Sequence, residues 1–196
     1  MPYQASITKD EIAELPEFEY TGQVLVIESV KMLKQITPEL LSENIWGFDT
    51  ETKPNFIKCN PNPNRVSLLQ LSNARCTYLF RLQKTGLPGI LKHILSQPKI
   101  IKVGVAVKDD IAGLQKIAKF EPAGFVDLQK EAEKFSITDK GLRNLTAIVL
   151  QHRMSKAQQL SNWENDVLNE KQILYAATDA RVCRLIYEQF SNTTTL

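Results

Sequence analysis

Three short stretches carry side chains whose type and spacing suit the binding of a hard cation. Phe48-Asp49-Thr50-Glu51 closes an apolar run beginning at Trp46 that reads as a strand. Side chains alternate across a strand, so Asp49 and Glu51 project to one side, close enough for their carboxylates to share a cation; two solvated acids at a strand end would show the same letters. In the second stretch a strand reaches Gly104 and a helix then opens near Asp109 and Asp110, with Leu114 turning inward four residues after Asp110. Acids in a first helical turn also serve simply to complement the helix dipole. The third, Leu174 to Ala180, lies inside a C-terminal helix where Tyr175 and Asp179, four apart, share one face. Aspartate is a poor helix-interior residue, and no capping duty explains it here. A surface Tyr–Asp hydrogen bond is the plainer account of that pair; its interruption of an otherwise buried-looking run favours a functional one. The three cysteines (Cys59, Cys76, Cys183) are widely spaced and the two histidines complete no metal motif. Any metal must therefore be held by oxygen.

The elements expected to position these groups follow from pattern. Thr8 to Glu11 is a capping box opening one short acidic helix that Pro16 ends, so residues 1–20 read as an extension. The core then begins with a strand at Gln23–Ile27, a helix capped by Ser29 from Val30 to about Gln35, and a strand to Thr50. A Pro- and Asn-rich loop from Pro54 to Pro63 is the expected mobile, site-bordering segment. Val66–Leu71 and Cys76–Phe80 read as a hairpin, which makes the early chain antiparallel throughout. From Leu87 helix and strand alternate: helix to Ser96, strand Lys99–Val103, helix from Asp109 to Ala118, strand Gly124–Leu128, helices near Asp127–Lys134 and Gly141–Leu150, a polar loop, and a long helix from Asn169 to Phe190. This order implies an α/β fold, a mixed central sheet with helices on both faces. One domain over residues 21–190, with a frayed tail at 191–196, accounts for the whole pattern.

Composition narrows the class. A chain of 196 residues, 43% hydrophobic, supports one well-buried core. The start shows no basic-then-apolar leader, and no apolar run is long enough for a membrane helix. Unpaired, scattered cysteines fit a cytoplasmic protein. From Lys53 through Lys108 there are ten Lys or Arg and no acid, either a basic region able to track phosphates or charges scattered over several faces.

Taken together, the Phe-Asp-Thr-Glu run, the Gly104-to-Asp110 spacing and Tyr175-x-x-x-Asp179 resemble the three motifs of the DEDD superfamily of 3′ to 5′ exonucleases, in its tyrosine-bearing branch. Relatives of that group include ribonuclease D, the proofreading domain of bacterial DNA polymerase I and the Werner syndrome helicase exonuclease domain. Leu174 to Ala180 and Leu160-Ser-Asn-Trp163 are most similar to the last. The likeness spans roughly Tyr20 to Phe190.

The resemblance implies a ribonuclease H-like fold and two divalent ions, Mg²⁺ or Mn²⁺, which prefer carboxylate oxygen. By this likeness Asp49 bridges both metals, Glu51 and Asp179 complete one site, Asp110 supports the other, and Tyr175 orients or helps deprotonate the attacking water. Asp109 and Asp110 are adjacent, and the spacing to Gly104 and Leu114 favours Asp110. The partner implied is a nucleic acid with a 3′ end, DNA slightly favoured. The rivals are a ribonuclease D-like RNA trimming enzyme and an inactive binding module, the latter opposed by the complete set of four acids and tyrosine. Phe56 could stack on a base, and Lys156 and Trp163 could approach the strand; loop packing accounts for them equally well.

Overall fold

The computed structural model describes residues 3–55 and 64–194. Apolar runs supply six strands: β1 (Gln23–Ile27), β2 (Ile45–Thr52), β3 (Val66–Ser72), β4 (Cys76–Arg81), β5 (Ile101–Gly104) and β6 (Phe125–Asp127). They form one sheet in the order β1-β4-β3-β2-β5-β6. The expected antiparallel pairing holds from β2 through β3 to β4. It fails for β1, which lies parallel to β4 with Gln23 opposite Cys76. The cause is the connection: a full helix between β1 and β2 makes a crossover that returns the chain in the same direction. The β3–β4 hairpin then fills the gap between those two strands. β5 and β6 add in parallel beyond β2.

Helices cover both faces. Trp46, Phe48, Leu69, Leu71, Tyr78 and Phe80 point to one side, beneath α2 (Val30–Ser42), α4 (Gly89–Ser96) and α5 (Val107–Gln115). The opposite side is covered by α6 (Leu128–Glu133), α7 (Leu142–Leu145) and α8 (Glu170–Thr194), through Val103, Leu128, Leu145, Cys183, Ile186 and Phe190. Two short helices, α1 (Lys9–Glu14) and α3 (Leu82–Thr85), complete the set in chain order. Helix α2 runs about two turns past its expected end, with Pro38 inside it. Proline normally breaks a helix, but Leu33 and Leu40 are both buried on the same stripe, so packing carries the helix across.

Residues before the first strand are tied to this frame. The capping box forms: the Thr8 hydroxyl accepts from Glu11 N–H while the Glu11 carboxylate accepts from Thr8 N–H at 2.7 Å. Upstream, Tyr3 packs edge-on against Phe135 and Phe190, and Ile7 N–H donates to Asp139 at 3.0 Å. The tail expected to fray at Ser191 stays helical to Thr194, and the Tyr3 and Thr193 hydroxyls are hydrogen-bonded at 3.1 Å. After α7, a π-helical turn (Thr146–Leu150) ends at Gln151, whose φ is 56° and whose amide donates to the carbonyls of Ala147 and Ile148.

Candidate active site

The site begins where β5 parts from β2. The two strands pair only over Ile45–Gly47 and Ile101–Val103. β2 then continues along β3 to Thr52, with a bulge at Glu51/Thr52. At Gly104 an added Cβ would stand 2.8 Å from the Phe48 carbonyl and 2.7 Å from Val107, so only glycine lets β5 graze β2 before turning away. The turn passes through Ala106, left-handed at φ 54°. Asp127 braces it, accepting from Ala106 N–H at 3.0 Å and from Gln129 N–H at 3.0 Å to cap α6. This route sets α5 against β2. On β2, Thr50 points opposite to Asp49 and Glu51, and its hydroxyl donates to the Asp110 carboxylate. Leu114 is buried as expected, and Asp109 is exposed.

From the other face α8 supplies Tyr175 and Asp179. A Cβ on Gly47 would lie 1.9 Å from the Ala180 carbonyl, so helix and strand backbones touch. The buried alanines Ala176, Ala177 and Ala180 permit that approach. Gly47 and Asp49, two apart, share a face, and Asp179 comes to rest beside Asp49, only 7% exposed.

Electrostatics show how closely the acids are gathered. Burial, then the charges of Asp179, Asp110 and Glu51, hold the Asp49 carboxyl well above its ordinary range, with Thr50 N–H opposing by donating at 2.9 Å. Burial together with Asp179 and Asp110 pushes Glu51 up to about 9. Burial raises Asp179 to about 7, against the pull of Arg143 and of the Tyr175 hydroxyl. Asp110 rises to about 6 by burial, opposed by Thr50. Tyr175 is pushed up by burial, Asp179 and Glu51. The charges of Asp179 and Asp110 thus reach both Asp49 and Glu51, and those of Asp179 and Glu51 reach Tyr175.

Among the described residues, no three acidic, histidine or cysteine side chains stand at separations that would hold a metal ion. Asp110 is held by Thr50 from the α5 side, and the four acids form no finished coordination shell. As donors they suit a hard divalent cation: four carboxylates crowded in a desolvated crevice cannot all ionise unless positive charge joins them.

Sequence reasoning missed two contributors. Thr50 sits inside a quoted motif, and strand alternation alone would have aimed it at the face where α5 lies. Arg143, on α7, had no local signal. It lines a cavity of about 300 Å³ with Asn144, Met154, Gln159, Tyr175 and Asp179. A second cavity, about 620 Å³, also reaches Tyr175 and Asp179 and is walled by Phe18, Tyr20, Met154 and Leu174.

Other candidates are placed elsewhere. Trp163 is fully buried against Leu68, Leu79 and Ala176, its ring 6.1 Å from that of Tyr175, so it anchors the loop and backs the tyrosine. Lys156 is exposed, and Phe56 lies outside the described residues. The acid-free segment is not one basic surface. Lys102 is buried, donating to the carbonyls of Gln97, Ile100 and Ala123, and Arg81 is buried against Glu28 and the Asn165 and Asp166 carbonyls. Lys53 and Lys84 pair with Glu164 and Glu28. No helix among the described residues is long and apolar enough to cross a membrane.

Comparison with known proteins agrees with this frame. A family model described as 3′-5′ exonuclease matches residues 24–195. The chain is 31% identical to the bifunctional 3′-5′ exonuclease/ATP-dependent helicase WRN of Mus musculus, over 96% of this chain and 14% of that protein. It is 32% identical to exonuclease 3′-5′ domain-containing protein 2 of Drosophila melanogaster, over 85% of this chain and 30% of that one. The chain thus spans under a third of these two relatives. In fold it matches the Nibbler EXO domain of Aedes aegypti with a TM-score of 0.78 at 24% identity, covering 88% of this chain and 89% of that one. The EXD2 exonuclease domain soaked in Mg and GMP superposes with a TM-score of 0.52 at 28% identity, covering 86% and 89%. With its ribonuclease H-like sheet, its motif order and these relatives, the chain belongs to the DEDD family of 3′-5′ exonucleases, similar to the WRN exonuclease.

Proposed function

We propose that the chain hydrolyses the terminal phosphodiester bond of a nucleic-acid strand from its 3′ end and releases nucleoside monophosphates. The observation that carries this reading is the convergence of Asp49, Glu51, Asp110 and Asp179, with Tyr175, from β2, α5 and α8 into one electrostatic cluster. These four acids would hold two divalent cations, Mg²⁺ or Mn²⁺. When bound, such a pair stabilises charge on the attacking and leaving oxygens and lowers the pKa of bound water. The relative soaked in Mg and GMP supports the same metal and product class.

The chain's own residues have separable duties. Thr50 holds the Asp110 carboxylate against β2. Tyr175 stays a neutral hydroxyl because burial and the neighbouring acids oppose its ionisation. It is therefore suited to orient the attacking water by hydrogen bonding, the role the resemblance to the tyrosine-bearing branch assigns to it. Trp163 fixes the Tyr175 ring from behind.

The test is release of mononucleotides, in Mn²⁺ and in EDTA, from strands labelled at the 3′ or the 5′ end. Metal-dependent loss of the 3′ label first is expected. Release from neither end would leave only a binding module, although all four acids and the tyrosine are retained. Parallel deoxyribose and ribose strands report the sugar preference, DNA being slightly favoured, because discrimination between the two rests on contacts to the 2′-hydroxyl that the assay reads directly.

A further inference from the structure

We propose that Arg143 grips a phosphate of the strand being degraded, making the 300 Å³ recess it shares with Tyr175 and Asp179 a phosphate subsite. The inference rests on the exonuclease reading above and adds a residue to it.

The arginines of this fold are mostly spoken for. Arg81 is held by Glu28 and two carbonyls, Arg153 by Glu17, Arg181 by the Asn73 carbonyl, and Arg184 by Glu43, Glu188 and the Ile45 carbonyl. Arg143 makes no ion pair with any described residue. It is half-buried, and its helix is fixed by the buried Leu145. Its guanidinium faces the Tyr175 hydroxyl and the Asp179 carboxylate.

Charge explains why a cation belongs there. Four carboxylates and two divalent ions sum to zero, leaving the phosphodiester without a net counter-charge. One guanidinium supplies it. Its planar fork of donors can serve the tyrosine and a phosphate oxygen at once, and Asn144 and Gln159 line the same recess with further amide donors. Asp179 opposes an anion there until metal neutralises it, so strand binding at this recess depends on metal.

The competing account is that Arg143 only positions Tyr175. Salt dependence separates the two, because each phosphate contact in a single strand adds about 0.7 to the slope of log K against log salt. Binding of a single-stranded oligonucleotide by the full chain is measured by anisotropy in Ca²⁺, with a gel confirming that the strand stays intact. Arg143→Gln should weaken binding about tenfold and lower the slope by about 0.7. Arg143→Lys, which keeps the charge and loses the fork, should restore the slope with intermediate affinity. If the Gln variant melts below the assay temperature, Arg143→Met, which keeps the stem, replaces it. Unchanged affinity and slope, even with slower turnover, would overturn the proposal, as would failure of the unmodified protein to bind. Absence of nucleotide release by the unmodified protein would instead sink the exonuclease reading, which the binding arm does not measure.

Discussion

Replacing Asp179 with asparagine should change stability in a way that depends on pH, and the size follows from the burial of that carboxyl. Its pKa is raised from 3.8 to about 7 in the metal-free protein. The folded state therefore holds the proton more tightly than the unfolded chain. The stability this confers is fully present below pH 3.8 and is lost as pH rises through 7. Relative to a neutral side chain, the loss amounts to roughly 2 kcal/mol at pH 5 and roughly 4 kcal/mol at pH 8. Solvent screening removes little, because Asp179 is 7% exposed. Asparagine carries no such dependence, so its advantage over aspartate should grow by about 2–3 kcal/mol between those two pH values. In a domain of this size that corresponds to about 5–10 °C in melting temperature. Fixed penalties, such as an imperfectly bonded amide, cancel in the comparison, and the attraction to Arg143 is already contained in the Asp179 pKa. Relief of Asp49 and Glu51, which Asp179 raises, adds in the same direction. The assay is thermal melting followed by circular dichroism in EDTA from pH 5 to 8. A second series in Mn²⁺ should shrink the asparagine advantage at pH 8, since a ligand at 100 times its Kd stabilises the native aspartate protein by about 2.7 kcal/mol. A difference in melting temperature that is flat with pH would refute the claim that these acids are crowded and desolvated.

Three further outcomes are expected. Gly47→Ala puts a methyl where the Ala180 carbonyl stands 1.9 Å away; it should cost about 1–3 kcal/mol in a denaturant melt and lower turnover more than tenfold, roughly, by moving α8 and its two site residues. Tyr175→Phe should cut kcat roughly tenfold to a hundredfold with KM nearly unchanged, because only the water-orienting hydroxyl is lost; steady-state kinetics would show it, and an equal rise in KM would not fit. Ala106→Gly relieves a left-handed backbone at φ 54° and should raise stability by about 1 kcal/mol in the same melts.

The motif residues were legible because each sits where local chemistry disagrees with its neighbours: acids ending an apolar strand, an aspartate among alanines in a helix. The fold class was legible from the change of rhythm near Leu87. What lay hidden was set by long-range packing. The parallel pairing of β1 with β4 depends on how α2 crosses the sheet, and nothing within Gln23–Ile27 records it. The persistence of α2 through Pro38 depends on what Leu33 and Leu40 bury. Arg81 and Lys102 read as surface charges by type, yet both are interior groups held by backbone carbonyls. Arg143 is an unremarkable letter in a short helix. Only the approach of α7 to α8 gives it a function.

The hydrogen bond between Tyr3 and Thr193 brings the first and last described turns of the chain side by side. Fourteen helical residues separate Thr193 from Asp179, a distance of about 21 Å along α8. Cargo appended upstream and cargo appended downstream would leave the globule from neighbouring points, a full helix half-length from the carboxylates. A tether of a few residues would suffice to join Tyr3 to Thr193.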